Sequence, residues 1–146
     1  MKNLVVVCLA ILVTGSAAAP AYSNRADEEV SPFTLARHIG AFHLFSTSAG
    51  KYTIRRDGWG EVYIGDRKRN FQVKANARER IKRLYYFEYE GDLLLLYEAA
   101  AAGYVLRLDQ KTRKVKKATV VDGDFEPPLL QAQSLVFTDG TIVPLN

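Results

Sequence analysis

The chain has 146 residues, 48% of them hydrophobic, with 20 Lys and Arg against 16 Asp and Glu and a single cysteine, Cys8. One cysteine, inside an N-terminal apolar run, excludes disulfide staples, a thiol nucleophile and a cysteine-based zinc site from the rest of the chain, so stability must come from a hydrophobic core. The modest basic excess favours anionic partners without demanding them.

Residues 1–21 read as a signal peptide, with Lys2 as the positive n-region, residues 4–13 as the apolar h-region, and Ala19-Pro20-Ala21 placing small residues at −3 and −1. An apolar run of about ten residues falls well short of the roughly twenty needed to span a bilayer. Cleavage before Tyr22 is preferred over a cut after Ala17-Ala18-Ala19, which would leave Pro20 next to the scissile bond. Val5-Val6-Val7 before Cys8 lacks the small residues of a lipoprotein signal, so no lipid anchor is expected. The mature chain would keep nineteen basic residues against sixteen acidic ones and contains no Asn-x-Ser/Thr sequon. It is expected to be periplasmic or secreted, with no membrane segment after cleavage.

Residues 22–30 are polar and carry Asp27-Glu28-Glu29, a flexible lead-in to a single β domain over residues 31–146. In residues 31–40, Ser31 can cap a helix, Pro32 fits its first position and Gly40 can end it, with Leu35 and Ile39 on one face. The spacing predicts a short helix; a strand from Thr34 to His38 is the alternative.

From Ala41 the pattern changes to short aromatic and β-branched runs punctuated by Gly and Asp-Gly, the signature of antiparallel strands. Strands are expected near 41–46, 51–56, 61–65 and 71–75, with Asp57-Gly58-Trp59-Gly60 as the clearest turn. Asn76 and Glu79 could cap a helical turn or two reaching Arg83. Residues 83–90 put Tyr85, Phe87 and Tyr89 on one face, and Gly91-Asp92 turns the chain into residues 93–97, an apolar run that reads as a strand buried on both faces. Residues 103–109 put Tyr104, Leu106 and Leu108 on one face; residues 115–121 follow, Pro127-Pro128 interrupts, and residues 134–137 and 141–143 close a hairpin around Asp139-Gly140. The expected fold is mostly β, an antiparallel meander of about eight strands with one short N-terminal helix.

Residues 50–57, 103–109 and 140–146 each run from Gly through an apolar strand to Asp or Asn. Flanked by residues 93–97 and 110–115, the middle copy resembles one blade of a quinoprotein-like β-propeller over about forty residues. It departs from that pattern at Arg113, where glycine is expected, and at Lys117, where an aromatic is expected. A closed propeller needs at least four blades of roughly forty residues, more than this chain can supply, and the copies are offset unequally. Ordinary β-meander turn grammar produces the same similarity.

No motif names a reaction or a cofactor. His38 and His43 match no paired-imidazole metal spacing, the serines lack a Gly-x-Ser-x-Gly context, and phosphate loops and dinucleotide fingerprints are absent. Asp122, Asp124 and Glu126 alternate, but without EF-hand length or its terminal bidentate Glu, so neither catalytic nor metal-binding residues are assigned. Cations gather at Arg67-Lys68-Arg69 and at Lys111, Arg113, Lys114, Lys116 and Lys117, where they could meet a polyanion or simply keep strand edges soluble. Trp59, on a glycine-flanked turn, is either a core residue or a contact residue. The expected ligand-contacting residues are Trp59, Arg113, Lys114 and Lys116. The leading functional expectation is an exported, non-enzymatic binding module for a protein or polyanion at the envelope, not for nucleic acid. The alternatives are a small hydrolase using a histidine with carboxylates, and a β-repeat that completes its sheet by oligomerising.

Overall fold

The period-two alternation of the sequence becomes three antiparallel sheets. The computed structural model describes residues 30–73, 80–100 and 102–146, and among these there are thirteen strands and no helix. The strands are β1 (Thr34–Leu35), β2 (Arg37–Ile39), β3 (Phe42–Ser46), β4 (Lys51–Arg55), β5 (Trp59–Ile64), β6 (Arg67–Gln72), β7 (Arg83–Tyr89), β8 (Asp92–Glu98), β9 (Gly103–Leu108), β10 (Val115–Val121), β11 (Leu129–Gln131), β12 (Ser134–Val136) and β13 (Ile142–Pro144). An N-terminal sheet has the order β2-β3-β4-β5-β6, a central sheet β1-β7-β8-β9-β10, and a C-terminal sheet β11-β12-β13. Residues Pro32–Asn146 form one compact unit.

The central sheet is covered on both faces. Leu93, Leu95, Tyr97, Leu106 and Leu108 join Phe45, Tyr52, Ile54, Val62 and Phe71 of the N-terminal sheet in one core. Leu94, Leu96, Val105 and Val121 join Leu135 and Val143 of the C-terminal sheet in a second. Strand alternation therefore sends successive leucines of β8 into two different cores, and all four are fully buried. Each such side chain is worth about 1.5–3 kcal/mol of burial.

The N-terminal helix does not form. Thr34 and Leu35 pair with Tyr86 and Tyr85 of β7, the Ala36 N–H donates to Leu84 O at 2.8 Å, and Arg37–Ile39 pairs with β3. The segment thus fills the edges of two sheets and sends Phe33 and Ala36 into the two cores, whereas the helical pair Leu35 and Ile39 is left 55% and 47% exposed. Gly40, at φ +58°, is the first residue of a two-residue hairpin turn between Ile39 and Phe42 instead of a helix end. The strands also exceed the eight or so expected, because several are only two or three residues long. The strand expected at 71–75 is β6, which starts at Arg67 and is a cation-rich edge strand. The alternative helix from Asn76 falls largely outside the described residues, and Arg83 at its end begins β7.

The four strands β7 to β10 form a meander in sequence order. Arg113, where the blade pattern carries glycine, sits at φ +62°, the left-handed conformation that glycine adopts without steric cost. A bulge then shifts the register: Val115 pairs with Leu108 but Lys117 with Arg107, leaving Lys116 as the extra residue. Lys117 consequently points to the face opposite Val115, where strict alternation would have put the two together.

Candidate functional site

Arg55 ends β4, and the chain turns through Arg56, Asp57 and Gly58, the last at φ +89°. Asp57 holds this turn together. Its Oδ1 accepts the Trp59 N–H at 3.1 Å, and Arg55 donates to the same carboxylate through Nε at 3.2 Å and a terminal nitrogen at 2.6 Å. The Arg55 hydrogen bond holds the Asp57 carboxyl below the usual carboxylate range, and Asp57 in turn raises the guanidinium of Arg55.

The Arg56 backbone is tied on both sides, its N–H to Ala41 O at 3.0 Å and its carbonyl to the Ile81 N–H at 2.9 Å. That second bond brings Arg80, the residue before Ile81, alongside the turn. Ala41, Arg55, Arg56, Asp57 and Arg80 line one cavity of about 170 Å³. Three arginines therefore line this cavity with a single carboxylate. Arg56 Nε is buried and has no hydrogen-bond partner, and neither Arg56 nor Arg80 forms an ion pair among the described residues.

On the far side of Arg56 lies His43, 1% exposed, whose Nε2 is 3.4 Å from Ile81 O and whose Nδ1 has no partner. It is directly opposite His38 in register, and the two rings stack at 4.8 Å with an interplanar angle of 12°. Burial lowers the pKa of His43; the Ile81 hydrogen bond opposes this, and the charges of His38 and Arg56 add to the lowering.

On the solvent-facing side, Arg55 stands between two exposed rings. Phe42 is its register partner on β3, and Trp59 flanks it on β5, one step beyond the Ile54–Gly60 pair. They are 41% and 38% exposed. Trp59 is thus the first residue of a strand rather than a loop tip, and it faces outward.

The other expected contact residues lie elsewhere. Lys116 Nζ donates to Asp92 Oδ2 at 2.7 Å and Lys117 Nζ to Pro144 O at 3.0 Å, so two cations of the cluster are engaged within the protein. Arg113 donates to Lys111 O at 2.7 Å; Lys111 and Lys114 are exposed and make no ion pair among the described residues. Gln110, at the start of this turn, accepts from Tyr52 at 2.7 Å and Thr47 at 2.9 Å. Those residues mark the end of the N-terminal sheet opposite Trp59, so Trp59 and Arg113, Lys114 and Lys116 do not share one site.

Neither does the structure join a histidine to the 122–126 carboxylates. His38 and His43 stack in the N-terminal sheet, whereas Asp122 and Asp124 line a cleft of about 30 Å³ with Phe137, Asp139 and Thr141 after β10. Among the described residues no three His, Cys, Asp or Glu side chains converge to hold a metal ion. A larger open groove of about 520 Å³, lined by residues including Ser46, Ser48, Lys51 and Tyr63, offers only one cation. The arginine cavity was not expected from the sequence. Its local trace is the Arg55-Arg56-Asp57-Gly58 run, but Arg80 joins only through tertiary pairing.

No family model matches the chain, and no curated protein and no solved structure matches it.

Proposed function

We propose that this chain is an exported, non-enzymatic binding module that takes an anionic ligand at the arginine cavity of its N-terminal sheet. The observation that carries this reading is the lining of one cavity by Arg55, Arg56 and Arg80 with only Asp57 to offset them. An excess of arginine over carboxylate around one cavity favours an anion there, through charge-assisted hydrogen bonds. Export rests on the pattern of residues 1–21.

The test is binding of a sulfated polysaccharide, a general polyanion probe, to the purified protein and to the Arg56→Gln and Arg80→Gln variants. Saturable binding that weakens about tenfold in each variant, the loss of one charge-assisted contact, supports the reading. Undiminished binding by both variants refutes it.

A further inference from the structure

We infer that the arginine cavity is a site for a phosphate monoester carried on a sugar ring, with the phosphoryl group among Arg55, Arg56 and Arg80 and the ring against Trp59. This rests on the anion-binding reading and narrows it to one ligand chemistry.

The charge and the geometry select the head group. Asp57 neutralises one of the three guanidiniums, leaving an excess of two positive charges around the cavity. A carboxylate is planar, carries one charge and is satisfied by one two-pronged arginine, as Asp57 is by Arg55. A phosphate monoester carries about −1.5 to −2 charges at neutral pH and presents three acceptor oxygens in three directions, the arrangement that suits an arginine cluster. Arg55 lines the cavity from the end of β4, Arg56 from the turn, and Arg80 from the separate segment bonded to Arg56 through Ile81. Donors from two separate stretches of backbone, Arg55-Arg56 and Arg80, suit a tetrahedral ion better than a flat one. A cavity of about 170 Å³ also leaves room for the ester oxygen to lead outward.

The neighbouring surface selects the rest of the molecule. Phe42 and Trp59 flank Arg55 on the outer face of the sheet, each about 5 Å from it by ordinary strand spacing. Both rings are exposed beside Arg55, where they can cover the C–H face of a ligand ring. Gln72, the register partner of Trp59, is already tied to the turn, its Nε2 donating to Asp57 O at 3.4 Å and Val73 O at 3.3 Å.

Calorimetric titration with a hexose 6-phosphate, the matching hexose 6-sulfate, inorganic phosphate and adenosine monophosphate tests the inference. The sugar phosphate should bind most tightly, at least about tenfold better than the singly charged sulfate. Arg80→Gln, an exposed position whose replacement should leave the fold intact, should weaken both phosphate probes about tenfold; Arg56→Gln should do the same if it folds. Trp59→Ala should weaken the sugar phosphate about tenfold and leave inorganic phosphate unchanged. Failure of all phosphate probes to bind, while the sulfated polysaccharide still depends on Arg56 and Arg80, overturns the inference but leaves the anion-binding reading standing. Tighter binding of the nucleotide, or a Trp59→Ala variant that binds the sugar phosphate normally, overturns the sugar assignment. If Arg80→Gln and Arg56→Gln alter the binding of no anion, both readings fall.

Discussion

Lys116, the extra residue of the β10 bulge, reaches across to Asp92 and donates to its Oδ2 at 2.7 Å. Arg107 Nε donates to the same oxygen at 2.7 Å, and the Arg107 guanidinium also reaches Leu145 O and lies over the Tyr89 ring. Lys116 thus ties β10 to β8 within the central sheet, while Arg107 and, through Pro144 O, Lys117 hold that sheet to the C-terminal segment. Burial pushes the Asp92 carboxyl up, but hydrogen bonds from Lys116 and Arg107 outweigh it and hold it below the ordinary carboxylate range. A depressed folded-state value stabilises the fold above the unfolded carboxylate range, near pH 4, and that contribution is lost as pH falls further. Chemical unfolding across pH should therefore show an acid-side loss that is absent from Asp92→Asn. At neutral pH Asp92→Asn should cost about 1–3 kcal/mol because it weakens both charge-assisted bonds, whereas Lys116→Gln should cost less than about 1 kcal/mol because that lysine is half exposed.

Leu95 is fully buried in the core between the N-terminal and central sheets. Leu95→Ala should cost about 2–5 kcal/mol in denaturant unfolding, the range for a cavity left in a closed core. A loss under about 1 kcal/mol would mean that one face of β8 is not covered.

What the sequence made legible follows from local rules. Alternation at Tyr85, Phe87 and Tyr89 and the unbroken leucines of β8 identified half-buried and fully buried strands, because side-chain period and burial are local properties of a strand. Ser31, Pro32 and Gly40 supplied good helix ends to a segment too poor in buried residues to hold a helix against two open sheet edges. Strand β11 had no turn signal, since the β11–β12 turn uses Ala132 at φ +48° and Gln133 at φ +65°, a conformation expected of Gly or Asn. The bulge at Lys116 broke the alternation on which the facing of Lys117 depended. The arginine cavity was invisible for a different reason: Arg80 lies 24 positions after Arg56, and it comes beside it through tertiary pairing such as the Ile81–Arg56 backbone bond.

Gly60 sits under the Phe71 ring, and a Cβ there would lie 2.4 Å from Phe71 Cζ. Since Phe71 is itself buried in the core, the ring has little room to move. Gly60→Ala should destabilise by about 1–3 kcal/mol, the usual cost of overpacking, and a melting curve of the variant checks it.

His43 is buried, and its folded-state pKa is lowered from 6.5. The unfolded chain then binds the proton more readily, so stability should be full above about pH 6.5 and decline as pH falls below that value toward the lowered folded pKa. His43→Phe, which keeps a ring against His38, should flatten this part of the profile. The measurement is the urea midpoint of both proteins between pH 7.5 and pH 5, and parallel profiles would assign the slope to other groups.

The basic turn and the arginine cavity lie at opposite ends of the N-terminal sheet, so they can be separated by mutation. A triple variant with Arg113, Lys114 and Lys116 changed to Gln removes a charge already engaged with Asp92 and two that project from an exposed turn. Such charges are screened beyond about 8 Å at physiological salt, and any contribution they make to polyanion binding should fade between low and moderate salt. Arg56 is half-buried, so a contact it makes in the cavity is screened less. At low salt the triple variant should bind a sulfated polysaccharide slightly more weakly than the native protein, and at moderate salt equally well. Arg56→Gln and Arg80→Gln should be weaker at both. The reverse pattern, with the triple variant losing binding at moderate salt and the cavity variants unaffected, would move the ligand site to the turn and leave the three cavity arginines without a binding role.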